Sequence, residues 1–119
     1  MNRTVVLAAH GSRDPRAGAT VRALARAVAA RMPGVDVHAA FLELTGPHLA
    51  DVLDGLGGRP AVVVPLLLTP AYHARTDLPG VVAAARSAGA RVEVAGVLGP
   101  DRDGVPAELV SALRARLSV

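Results

Sequence analysis

Apolar and polar positions along the chain alternate between two rhythms. Runs at 4–9, 35–42, 61–68 and 91–97 are short, rich in Val, Leu and Ala, and have the length of strands. Between and after them apolar residues recur at helical spacing. In the first such stretch Ala17, Val21, Leu24, Val28 and Met32 share a face, Arg22 and Arg26 lie opposite, and Pro33-Gly34 is the stop. A second helix is predicted from near Pro47, with Leu49, Val52, Leu53 and Leu56 as its stripe and Gly57-Gly58 as its end. A third is predicted over 77–88, with Pro79 in its first turn and Gly89 as a left-handed cap. A fourth starts near Pro106, with Leu109, Val110, Leu113 and Leu117 expected to face inward. Glu108 falls in its first turn and Arg114 and Arg116 in its last, as the helix dipole favours.

Strand–helix alternation with short links predicts an α/β fold with a four-stranded parallel sheet and helices on both faces. Strand composition predicts the order. Runs 5–9 and 62–68 are almost continuously apolar, as strands covered on both faces must be. Val35-Asp36-Val37-His38 and Val92-Glu93-Val94 alternate, as edge strands do. The order 2-1-3-4 satisfies both constraints with right-handed crossovers. At 119 residues, 1–119 is expected to form one domain, and no repeat or linker is visible.

Composition narrows the chemistry. With no Cys, any metal must be held by His and carboxylate; the same absence is compatible with a cytoplasmic location. No run approaches the roughly 20 apolar residues of a membrane span. All thirteen basic residues are Arg, a side chain that stays charged and grips carboxylates bidentately. The net charge of +3 is mild and the only aromatics are Phe41 and Tyr72, which argues against nucleic acid as a partner.

Ligands in open α/β sheets bind beyond the carboxyl ends of the strands, where the strand order reverses. For the order 2-1-3-4 that point lies between strands 1 and 3. Strand 1 leads into His10-Gly11-Ser12-Arg13-Asp14-Pro15-Arg16, and strand 3 into Thr69-Pro70-Ala71-Tyr72-His73-Ala74-Arg75-Thr76-Asp77. Strand 2 ends at Phe41-Leu42-Glu43-Leu44, on the same rim. Imidazole is both a ligand for cobalt, iron, nickel and zinc and a proton acceptor matched to neutral pH. Two His with a carboxylate and open coordination positions suit an ion that is held and then delivered. The Gly11-Ser12 turn before a helix adds backbone donors for an anion, and Arg13, Arg16 and Arg75 flank the two His loops. No GxGxxG or GxxxxGK[ST] is present, so a nucleotide requirement finds no support. Taken alone, Glu43 reads as a solvated rim charge, and His38 and His48 read as surface residues.

The chain resembles the class II, ATP-independent sirohydrochlorin chelatases of the CbiX/SirB type. The resemblance rests on Val6-Leu7-Ala8-Ala9-His10-Gly11-Ser12-Arg13-Asp14-Pro15-Arg16, Ala40-Phe41-Leu42-Glu43-Leu44, Val63-Val64-Pro65-Leu66-Leu67-Leu68 and Tyr72-His73-Ala74-Arg75-Thr76-Asp77-Leu78-Pro79, in the family's order and over most of the chain. Ala71 departs from the Gly that many members carry two residues before the second His. The resemblance implies a lyase that inserts Co2+, Fe2+ or Ni2+ into a polycarboxylated tetrapyrrole for cobalamin or siroheme biosynthesis, with the ion as substrate and no permanent cofactor. It implies His10 and His73 as metal ligands that assist deprotonation, with Glu43 as a third catalytic group. Ser12, Arg13, Arg16, Tyr72 and Arg75 are then the residues expected to bind substrate. Longer members hold the tetrapyrrole between two lobes, so a homodimer or a second lobe is expected. The alternative is a non-catalytic metal or tetrapyrrole carrier, or one lobe of a larger chelatase. A histidine phosphatase would need Arg immediately before His10, where Ala9 stands.

Overall fold

The computed structural model describes residues 3–66, 78–99 and 103–117. Eight elements alternate: β1 (Arg3–Ala9), α1 (Pro15–Arg31), β2 (Val35–Phe41), α2 (Leu49–Gly55), β3 (Ala61–Pro65), α3 (Leu78–Ser87), β4 (Val92–Val94) and α4 (Ala107–Leu117). The strands form one parallel sheet in the order β2-β1-β3-β4. Central β1 carries the predicted signature, with Val6, Leu7 and Ala8 all buried.

Alternate residues of the sheet serve opposite layers. Val6, Ala8, Ala40, Ala61, Val63 and Val92 form one face, packed with Leu49, Leu53 and Leu56 from the α2 segment and Leu78 and Val82 of α3. Val5, Leu7 and Ala9 point the other way, where α1 lies over β1 and β2. Asp14 starts α1: its carboxylate accepts from the Arg16 N–H at 2.9 Å, and Pro15 occupies the first turn. Gly89, at φ 102°, terminates the α3 segment as predicted.

Two helices depart from the expected inward stripes. In α1 the buried residues are Gly18 and Ala25, whereas Leu24 and Met32 are exposed. Small side chains let the helix approach the sheet closely, and the contacting face is rotated off the Leu24–Met32 line. In α4 no residue is buried: Leu113 is 57% and Leu117 82% exposed. An amphipathic stripe forms a helix readily, but its burial requires a partner surface. On the α1 side of the sheet, Val62 and Val64 of β3 are partly buried, and no α4 side chain is buried against them. The fourth strand is also shorter than its apolar run, although the Ala95 N–H still donates to the Val63 carbonyl at 2.9 Å. Among the described residues, no helix is long and apolar enough to cross a membrane.

Candidate functional site

The carboxyl ends of β1 and β2 continue side by side past their last ladder pair, Ala9 and Phe41. The Leu42 N–H donates to the Ala9 carbonyl at 3.0 Å, and the Glu43 N–H to the His10 carbonyl at 2.9 Å. This backbone pairing sets His10 beside Glu43. Their side chains meet, with His10 Nε2 2.7 Å from Glu43 Oε1 and each side chain 54% exposed. A carboxylate only accepts hydrogen bonds, so the ring nitrogen carries the shared proton. The pair stands open to solvent at the predicted rim.

Both loops turn sharply just beyond the pair. Gly11 has φ 108°, and a Cβ placed there would overlap the Glu43 carbonyl oxygen. Only glycine combines that conformation with so close a backbone approach. Leu44 sits at φ 65° across from it. The Ser12 hydroxyl accepts from the Asp14 N–H at 3.0 Å, folding the loop back toward α1.

The predicted anion-binding residues have separate fates. Ser12 lies on the rim, its hydroxyl engaged as an acceptor, and Arg13 is exposed beside it. Arg16 is turned onto Asp14: its Nε lies 3.1 Å from both carboxylate oxygens and its NH2 2.7 Å from Oδ2. The bonds from Arg16, side chain first and backbone second, hold the Asp14 carboxyl below its ordinary value, while the carboxylate raises the guanidinium. Tyr72, His73 and Arg75 lie outside the described residues. Among the described residues, no three His, Cys, Asp or Glu side chains converge on one ion position.

Of the remaining histidines, His38 Nε2 is 2.9 Å from Asp36 Oδ2 on the edge strand, and His48 is exposed at the N-cap of α2 without a side-chain capping bond. Two hollows among the described residues lie elsewhere. One of about 600 Å³ lies between α2 and α3, lined mainly by small residues such as Gly58, Gly80 and Ala84. Another of about 980 Å³ opens at the amino ends of the strands, around Val5, Met32 and Val62. Neither contains a His, whereas His10 and Glu43 stand at the carboxyl rim where sheets of this kind take ligands. The candidate site therefore rests on chemistry and topology rather than on concavity. Sequence reasoning missed Thr45, whose hydroxyl bonds the backbone of Ser12 across 33 positions. A Thr in a strand-to-helix loop was the only local signal.

A family model described as CbiX matches residues 4–118. In structure the chain is similar to a CbiX protein of Marinobacter aquaeolei VT8, whose given name assigns it to cobalamin (vitamin B12) biosynthesis. The TM-score is 0.76 at 27% identity, covering 97% of this chain and 93% of that one. It is also similar to the sirohydrochlorin chelatase SirB of Bacillus subtilis subspecies spizizenii in complex with cobalt. There the TM-score is 0.76 at 29% identity, over 98% of this chain and 50% of that one. SirB of Bacillus subtilis with Fe3+ gives 0.73 at 28% identity, over 100% and 48%. The chain thus spans about half the length of the SirB proteins it matches. No curated protein matches it.

Proposed function

The chain belongs to the CbiX family, and from that premise we propose that it inserts a divalent metal ion into sirohydrochlorin, with Co2+ as the first candidate and Fe2+ and Ni2+ as alternatives. The observation that carries the reading is the His10–Glu43 pair, an imidazole and a carboxylate 2.7 Å apart and open to solvent at the carboxyl rim of β1 and β2, next to the sheet's point of reversal. Tetrapyrrole metallation needs an ion stripped of water and two pyrrole protons removed. A hydrogen-bonded His–carboxylate pair suits both demands. An incoming ion takes the place of the proton between Nε2 and Oε1, and that proton passes to the other ring nitrogen or to solvent. Once the ion has left, the same two atoms are free to accept protons. His73 is proposed to complete the donor set. Arg13, with Tyr72 and Arg75, is proposed to hold the substrate's carboxylates; Arg16 would have to leave Asp14 to join them.

The ion is substrate here, and the product belongs to cobalamin or siroheme biosynthesis. One lobe offers one wall of a tetrapyrrole cleft, so the working unit is proposed to be a homodimer or a pairing with a second lobe. The uncovered apolar stripe of α4 supports that pairing. Protein mixed with sirohydrochlorin and limiting Co2+ should metallate it faster than the protein-free control, as followed by visible absorption. The rate should fall steeply in His10→Ala while staying measurable above the control. A stoichiometric spectral change without turnover would instead identify a carrier. Repeating the assay with each metal assigns the preference.

A further inference from the structure

Resting on the chelatase reading, we infer that Thr45 is the positioning residue that holds the His10 loop in register with the Glu43 loop. The β1–β2 ladder ends at Ala9 and Phe41, yet hydrogen bonds between the two chains continue beyond it, each joining residues 33 apart. It runs from Leu42 N–H to Ala9 O, then from Glu43 N–H to His10 O, and then between Thr45 and Ser12. At that last step the backbone can no longer pair with itself. Gly11 at φ 108° and Leu44 at φ 65° have turned both chains out of strand geometry. The Thr45 side chain takes over. Its hydroxyl accepts from the Ser12 N–H at 3.1 Å and donates to the Ser12 carbonyl at 2.8 Å, so one oxygen serves both halves of a peptide ladder.

Two further features fix that oxygen, and a third passes the restraint on. The Thr45 N–H donates to the Glu43 carbonyl at 2.7 Å, tying the hydroxyl's own backbone to the residue that faces His10. The Thr45 methyl packs beside Gly18 of α1, where an added Cβ would come within 3.0 Å of it. Ser12, thus held, fixes the Asp14 N–H through its own hydroxyl. Gly11 is therefore clamped on both sides, by the Glu43 N–H at His10 and by Thr45 at Ser12. His10 and Glu43 are both half-exposed, and among the described residues they are restrained by their mutual contact and by the backbone bonds of the rim. Loss of the clamp would leave the pair assembled only part of the time, and partners that orient ligands typically contribute about 10–100-fold to metal affinity or activity.

A hydroxyl can donate and accept together; a methyl of the same shape can do neither. Thr45→Val keeps the packing on Gly18 and removes both bonds, whereas Thr45→Ser keeps both bonds and removes the methyl. Titration with Co2+ alone should show Thr45→Val binding about tenfold more weakly than wild type, with Thr45→Ser recovering most of the affinity. In the insertion assay the KM for Co2+ should rise in Thr45→Val, while the KM for sirohydrochlorin stays unchanged. Wild-type Co2+ affinity in Thr45→Val, or equal weakness in both variants, overturns the assignment. If Thr45→Val does not fold, hydrogen exchange on the wild-type protein decides. The Ser12 amide should exchange more slowly than an unprotected peptide; exchange at the unprotected rate overturns the clamp. Amide exchange and Co2+ titration need no tetrapyrrole. A wild-type protein that metallates nothing would therefore sink the proposed function while leaving Thr45 separately testable.

Discussion

The rim where β1 and β2 end and the last helix, α4, both face solvent and have opposite construction. At the rim, residues 9–14 and 41–47 are cross-bonded by backbone and hydroxyl groups, with a positive-φ glycine pressed against a carbonyl. In α4, local signals make a regular helix, and none of its side chains is buried. Regularity is thus a local property, whereas fixed geometry comes from bonds between distant segments. A site that must hold two polar side chains 2.7 Å apart in water needs the second kind of order.

Matched substitutions test the contrast. Leu53, 1% exposed between α2 and the sheet, should cost about 2–5 kcal/mol when changed to Ala, read from the urea midpoint. Leu117→Ala, on the stripe of α4, should stay within about 0.5 kcal/mol at concentrations where the chain is monomeric. A large loss at Leu117 in the monomer would mean that α4 packs on its own sheet, and the contrast would fail. At the rim, Gly11→Ala forces a side chain into left-handed backbone and against Glu43; a destabilisation of about 1–3 kcal/mol is expected, with metal insertion reduced to background. Near-normal activity in Gly11→Ala would show the rim to be as permissive as α4.

The smallest effect is expected at Asp14, on the outer side of the His10 loop. Arg16 lowers its carboxyl from the ordinary 3.8 in the folded protein. A lowered value means that the stabilisation is complete above 3.8 and disappears as pH falls through the lowered value. Asp14→Asn should therefore melt slightly below wild type at neutral pH, and the gap should close in acid below 3.8. Because the pair is exposed, the gap should also shrink with added salt. A difference that persists unchanged into strong acid would mean that the charge of Asp14 contributes nothing.

Burial patterning made the sheet legible. Continuous apolar runs marked β1 and β3 as central, and alternation marked β2 and β4 as edges, because a strand records how many of its faces are covered. Helix faces were harder. In α1 the sheet selects Gly18 and Ala25 over Leu24 and Met32, since close approach depends on size as well as hydrophobicity. In α4 the stripe was legible, while the identity of its partner surface is not written in the helix itself. At the site, His10 stood out because it follows a strand and precedes a Gly-Ser turn. Glu43 on its own read as a solvated charge; the resemblance gave it a role, and the register that carries it beside His10 supplies a physical reason. Thr45 acts across 33 positions, beyond the reach of any local pattern. The expectations for Tyr72, His73 and Arg75 fall outside the described residues.

Central to the proposed chemistry is that His10 and Glu43 act as one unit on the incoming ion. A double-mutant cycle with His10→Ala, Glu43→Gln and the double variant, read as initial rates of Co2+ insertion into sirohydrochlorin, tests this directly. Groups that work together are lost together, so the double variant should be scarcely slower than the worse single one. Effects that multiply in the double variant would mean that the two side chains act independently, in contradiction of the account.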